Sequence, residues 1–142
     1  MLVSQILKDK GDMVFTASPS DSVAAVAALL QARRVGAMVV LDEARSVAGI
    51  VSERDIVRVV AELGAEGLER PITDCMTREV VFAEPTETVD SLLGRMTDRR
   101  IRHLPVVRDG RLVGIVSIGD LVKSKIAETV AEAETLKAYI SA

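Results

Sequence analysis

Two stretches of this chain carry residue types and spacing that could do chemistry. They are Gly49-Ile50-Val51-Ser52-Glu53-Arg54-Asp55-Ile56-Val57 and Gly114-Ile115-Val116-Ser117-Ile118-Gly119-Asp120-Leu121-Val122. Both have the form Gly-Ile-Val-Ser-x-x-Asp-(Ile/Leu)-Val, an apolar strand running into a helix that opens at the serine. One use of the pattern is structural. In a capping box the serine side chain accepts from the backbone N–H three residues on, and the carboxylate there reaches back to the serine N–H. The other use is binding. A helix start offers unpaired N–H groups and the positive end of a dipole, which suits a phosphate. A carboxylate beside it suits the paired hydroxyls of a ribose. The strand glycine lets a ligand or another stretch of backbone come close.

Other polar residues add to these two stretches. Arg54 is on the first turn of its helix, where a cation opposes the dipole, so an anion nearby would account for it. Gly119 takes the matching place in the second copy, which makes the two copies unequal. Arg99, Arg100, Arg102 and His103 form the densest basic patch. Arg99 and Arg100 are accounted for by a helix C-terminus, which favours cations. Arg102 and His103 stand at a strand start, where a ligand contact and a satisfied edge histidine are both open. A single Cys (Cys75) and a single His allow no disulfide and no zinc site of the usual ligand count. No nucleophile with a base and an orienting third group is visible, so no catalytic residue is assigned.

Composition narrows the function classes. The chain has 142 residues and is 49% apolar, with 2% aromatic residues. The interior is therefore aliphatic, and base stacking on aromatic platforms is excluded as a mode of nucleic-acid binding. A net charge of −3 gives no basic footprint for nucleic acid. No apolar run approaches the ~20 residues of a membrane span, and no basic flank plus apolar run marks a signal peptide. The expectation is a cytoplasmic protein with no membrane or nucleic-acid partner.

The elements that must position the two motifs read as follows. Residues 1–7 pattern as an amphipathic helical turn, followed by a charged link over 8–12. Val14 to Thr16 reads as a strand, ended by Ser18-Pro19 because proline lacks a donor and restricts its predecessor. Asp21 or Ser22 caps a helix through Leu30. Ala37–Leu41 and Val47–Val51 are nearly continuous apolar strands of a hairpin, which implies burial on both faces. Glu53–Leu63 is a helix stopped by Gly64, and 64–71 is a linker. Thr73 or Asp74 then caps a second opening segment. Val80–Ala83 reads as a strand, and Thr88 caps a helix to Arg99. His103–Val107 pairs with Leu112–Val116 across Asp109-Gly110, a strong two-residue hairpin signal. The last helix starts near Ile118 and extends to Ile140, with Ile126, Val130, Ala133, Leu136 and Ile140 as an apolar stripe. That stripe either packs on its own domain or meets a partner helix.

This order occurs twice. Pro19 aligns with Pro85, a shift of 66 residues (85 − 19), and Arg33-Arg34-Val35 falls on Arg99-Arg100-Ile101. The shift becomes 65 (114 − 49) after the first hairpin loop, which is one residue longer. An internal period of this length is read before any single residue.

The repeat resembles a CBS domain, named for cystathionine β-synthase, and the chain resembles a tandem CBS pair, or Bateman module. The carrying residues are the two Gly-Ile-Val-Ser-x-x-Asp stretches, Arg100-Ile101-Arg102-His103-Leu104-Pro105-Val106, and the Asp109-Gly110 turn. The resemblance covers about Val3 to Glu128. It implies an α+β (mixed α/β) fold of two β-α-β-β-α repeats related by a pseudo-two-fold axis. Repeat 1 would span 1–65, repeat 2 66–128, and a C-terminal helical extension 129–142. It further implies two clefts that take adenosine ligands. Carried over residue by residue, one cleft uses Ile50, Ser52, Arg54 and Asp55 with Phe82, Ala83, Arg102 and His103. The other uses Ile115, Ser117, Gly119 and Asp120 with Thr16, Ala17, Gly36 and Ala37, and its Gly119, Gly36 and Ala37 make it the less charged of the two. The function implied is a non-catalytic regulatory sensor of adenine nucleotides (AMP, ADP, ATP or an NAD-type ligand), working as a homodimer. The alternative is an interaction module that regulates a partner protein by contact, with no nucleotide required. The resemblance extends to the regulatory insert of inosine-monophosphate dehydrogenase, but two repeats consume the chain and leave no catalytic barrel.

Overall fold

The computed structural model describes residues 1–11 and 14–141. In chain order the elements are α1 (Val3–Lys10), β1 (Thr16–Ala17), α2 (Val23–Arg33), β2 (Ala37–Leu41), β3 (Val47–Ser52) and α3 (Glu53–Leu63). Two 3-10 turns follow, Gly64–Glu69 and Ile72–Asp74, then α4 (Val89–Arg99), β4 (His103–Arg108), β5 (Arg111–Ser117) and α5 (Ile118–Ser141). The fold is mixed α/β. Of the charged link expected over 8–12, residues 8–10 are helical, because α1 continues through Lys10 to a cap at Gly11; Asp12 lies outside the described residues.

The chain forms two compact units. One is contiguous, 14–81; the other combines 1–13 with 82–142. The units therefore follow neither 1–65 and 66–128 nor any single cut. The opening segment of each sequence repeat packs into the unit that holds the other repeat's hairpin.

In the contiguous unit, β1 pairs parallel with β2 and β2 antiparallel with β3, giving the order β1-β2-β3. Ser22 caps α2 by accepting from Ala25 N–H at 3.0 Å, and α2 turns Val23, Val26 and Leu30 onto the sheet. These meet Met38, Val40 and Val51, closed from the far side by Ile72, Cys75 and Met76. Each aliphatic side chain buried this fully contributes about 1.5–3 kcal/mol. Ala37 to Val40 are buried without a break, as the apolar run implied. β3 instead alternates half-buried and buried residues, so it is covered fully on one face only. The expected linker at 64–71 is packed structure: its 3-10 turn buries Gly67, and Leu68 joins the core. Neither Thr73 nor Asp74 caps a helix, since Pro71 precedes a single turn at Ile72–Asp74.

In the second unit, β4 and β5 form a hairpin. Asp109 and Gly110 have φ of 52° and 76°, the pair of positive values that the expected two-residue turn requires. The strand expected at Val80–Ala83 is reduced to one parallel bridge, Ala83 to Val106, held by Ala83 N–H to Pro105 O and Val107 N–H to Ala83 O, both 2.9 Å. Pro85 ends it. Thr88 caps α4 by accepting from Ser91 N–H at 3.1 Å. Val3, Ile6 and Leu7 of α1 are buried here with Leu92, Met96, Leu104, Val116 and Leu121. The entry to α1 is tied down by Val3 N–H to Glu87 O and Ser4 N–H to Pro85 O, each 2.9 Å.

The exchanged segments land on the two motif glycines. A Cβ on Gly49 would lie 2.7 Å from Met76 Sδ and 2.8 Å from the Thr77 carbonyl oxygen. A Cβ on Gly114 would lie 2.5 Å from Leu7 Cδ2. Of the two uses open for these glycines, the close approach is thus made by the chain itself.

Candidate functional site

Each unit delivers one serine and one aspartate to a helix start. The local cause is the same in both. An apolar strand ends at the serine, helical backbone begins at the next residue, and the aspartate three residues on from the serine accepts the serine N–H. Ser52 N–H donates to Asp55 Oδ2 at 2.9 Å, and Asp55 N–H donates to Ser52 Oγ at 3.4 Å. In the second unit Ser117 N–H donates to Asp120 Oδ2 at 2.9 Å, and Asp120 N–H to Ser117 Oγ at 3.1 Å. Both are capping boxes in geometry, and both place a carboxylate at the positive end of a helix.

The two carboxylates differ in what else holds them. Asp55 is only 7% exposed, and a buried carboxylate must be paired to be tolerated. Ser52 Oγ–H donates to its Oδ2 at 3.2 Å, and the Arg58 guanidinium donates to Oδ1 at 2.8 Å. Arg58 lies one turn further along the same helix, an i,i+3 spacing legible in the sequence but not singled out there. Asp120 is held by a residue far away in sequence. Lys10 Nζ, at the end of α1, donates to Asp120 Oδ2 at 2.7 Å and to Ile115 O at 2.9 Å. Burial pushes the Asp120 carboxyl up, but the bonds from Lys10 and from Ser117 outweigh it and hold the group below the usual carboxylate range. The Asp120 end, read from Gly119 as poor in charge, thus contains an ammonium.

The strand register shows which other candidates join each motif within its own unit. Ala37 pairs with Ser52, and Glu53 N–H donates to Gly36 O at 3.0 Å. Thr16 and Ala17 lie one strand further along the same sheet. In the second unit His103 pairs with Ser117, and Ile118 N–H donates to Arg102 O at 2.8 Å. Ala83 bridges Val106 on the outer side of β4, with Phe82 before it, 38% exposed. The contiguous unit therefore gathers Thr16, Ala17, Gly36 and Ala37 with Ile50, Ser52, Arg54 and Asp55. The other gathers Phe82, Ala83, Arg102 and His103 with Ile115, Ser117, Gly119 and Asp120. Arg54 is exposed on α3, between Glu53 and Asp55.

Cys75 offers no chemistry. It is 3% exposed, and burial, then the Asp55 charge, push its thiol up, with Arg58 opposing. A thiol so placed is poorly ionised and inert. Among the described residues no group of His, Cys, Asp or Glu could hold a metal ion, and no helix is long and apolar enough to cross a membrane. The C-terminal stripe does not pack on its own unit. Ile126, Val130, Leu136, Tyr139 and Ile140 of α5 are all more than half exposed.

Comparison with known proteins agrees with this architecture. The family model described as CBS domain matches twice, over residues 7–62 and 72–126. A mitochondrial CBS domain-containing protein of Arabidopsis thaliana, CBSX3, is 34% identical over 97% of this chain and 71% of its own length. The crystal structure of a CBS-domain containing protein from Agrobacterium tumefaciens superposes with a TM-score of 0.86 at 43% identity, covering 87% of this chain and 92% of that one. The CBS domain pair of protein MJ0100, solved in complex with methylthioadenosine and S-adenosylmethionine, gives a TM-score of 0.81 at 29% identity, covering 90% of this chain and 98% of that one.

Proposed function

The chain belongs to the CBS domain family, as a tandem pair of such domains, and from that premise we propose that it is a non-catalytic regulatory module that binds an adenine nucleotide. AMP, ADP, ATP and NAD-type ligands share the adenosine that the paired motifs would grip. The observation that carries the reading is the Ser-x-x-Asp helix start, present in both units with its carboxylate fixed by the serine backbone. Support also comes from the adenosine-type ligands named with the MJ0100 pair. Asp55 and Asp120 would take the ribose hydroxyls, with Ile50 and Ile115 among the residues that touch the ligand. Phosphate would fall to Arg54, Arg102 and His103, and the strand register favours Arg102 and His103 serving the Asp120 helix start of their own unit.

The test is calorimetric titration of Asp55→Ala with adenosine, AMP, ATP and NAD. A carboxylate bonded to a diol makes charge-assisted hydrogen bonds worth about 1.5–3 kcal/mol each. Loss of at least about tenfold in affinity is therefore expected, since ~1.4 kcal/mol is one decade. A variant that loses stability while keeping every affinity would leave Asp55 with the capping role alone.

The exposed stripe on α5 supports the homodimer of the same reading. Val57, Val60 and Leu63 on α3 are exposed as well, so both helices that follow the motifs carry apolar surface. Closed two-fold pairing is the commonest way to cover such faces. Sedimentation at tens of micromolar, a range set by usual interface affinities, should give a dimer, and a monomer there would remove it.

A further inference from the structure

We propose that Lys10 sets the affinity of the Asp120 motif for adenosine by occupying, in the free protein, the acceptors that the ligand would use. This rests on the adenosine reading above and assigns a role to a residue outside both motifs.

The geometry is a competition for one oxygen. A carboxylate oxygen accepts about two hydrogen bonds, and a ribose diol held side-on needs one place on each oxygen. Asp120 Oδ2 already takes Ser117 N–H and Lys10 Nζ. Only the Lys10 bond can be given up, because the Ser117 bond is part of the helix start. Lys10 simultaneously holds Ile115 O, the main chain of a residue assigned to the ligand. One ammonium thus sits on two of the groups proposed to receive adenosine.

Among the described residues, the Asp55 carboxylate is held from its own helix start and helix alone: Oδ2 takes Ser52 N–H and Ser52 Oγ–H, and Oδ1 takes Arg58. Its cation, Arg58, is on the same helix, makes one bond to Oδ1, and its side chain is 56% exposed. Arg58 can swing into water with no change of backbone. Lys10 makes two bonds, its side chain is 39% exposed, and it ends α1, whose apolar face is buried under the hairpin. Releasing it frees the last turn of that helix. Ligand at Asp120 and docking of the α1 terminus therefore oppose each other.

The experiment titrates the full chain with adenosine, which has no phosphate for Lys10 to bind, and with 2′,3′-dideoxyadenosine. Lys10→Met keeps a side chain of similar length and removes the ammonium. It is expected to raise adenosine affinity at a second site by about tenfold, the size of one displaced charge-assisted bond less screening. The gain should vanish in the double variant with Asp120→Asn and be absent with the dideoxy compound. Lys10→Gln, which keeps a donor for Ile115 O, should gain less, and it serves as the probe if the methionine variant fails to fold. Unchanged adenosine binding at the second site, with the Asp55 site intact, would overturn the role of Lys10 and leave the adenosine reading standing. So would an equal gain for the dideoxy compound, or a loss of affinity at Asp120. No adenosine binding to any variant, wild type included, would overturn both.

Discussion

Gly49 and Gly114 hold the same place in two hairpins built from one motif, yet different kinds of atom press on them. Over Gly49 lie the Met76 side chain and, beside it, main chain: the Thr77 carbonyl, locked by reciprocal bonds between Ile50 and Thr77 of 2.9 and 2.8 Å. Over Gly114 lies the tip of one leucine side chain, Leu7. The same backbone requirement is met rigidly in one unit and adaptably in the other. The carboxylates differ along a related line, since Asp55 is held from within its own helix and Asp120 from another segment. One carboxylate is fixed by short-range bonds; the other relies on a helix that must stay docked.

An added methyl group separates the two glycines most directly. Gly49→Ala puts carbon against a carbonyl that cannot rotate away, so overpacking at the upper end of the usual range is expected, about 2–3 kcal/mol. Urea unfolding measures it. Gly114→Ala meets the far end of a flexible side chain and should cost about 1 kcal/mol. It should also loosen α1, seen as faster hydrogen exchange at 3–10. Equal costs at the two glycines would erase the distinction between the units.

The smallest effect expected is on the acid limb of stability. The carboxyl of Asp120 is held below its unfolded value of ~3.9. Its contribution is therefore fully present above that value and is lost as pH falls through the folded one. Lys10→Met removes the principal bond that lowers it, so stability should fall off less steeply below about pH 4 than in wild type. Glu87, lowered chiefly by its bond to Arg95, titrates in the same direction and should be unchanged by the variant, which makes it an internal reference. Parallel acid limbs in the two proteins would detach Lys10 from Asp120.

Much of the fold is written in local chemistry. Ser22, Ser52 and Thr88 announce their helices because a cap needs only a short polar side chain before an apolar period. Gly64 and the Asp109-Gly110 turn stop and reverse the chain for equally local reasons. What sequence reading misses depends on distant partners. Val80–Ala83 has strand composition, but its neighbour offers it one bridge, so composition overstates it. The linker at 64–71 looks unstructured until Val59 and the α2 face are there to receive Leu68. In the candidate site, the bonds between serine and aspartate are legible from spacing alone. Lys10 is not, because no periodicity links it to a carboxylate 110 residues on. The exchange of opening segments is hidden for the same reason. Each opening segment reads correctly as an apolar cover, and only the tertiary structure says which hairpin it covers.

That exchange has a consequence for synthesis. The contiguous unit has every segment it needs once residue 81 has left the ribosome. α1 is made earlier than all of it, but its hairpin and the start of α5 come only with residues 103–121. At ~5–20 residues per second, the apolar face of Val3, Ile6 and Leu7 waits on the order of ten seconds for its partner. In the interval the nascent chain carries one finished body and one orphan amphipathic segment, the kind of surface that chaperones bind and neighbouring chains invade. A helix translated before the whole of the contiguous unit is among the last to find its place.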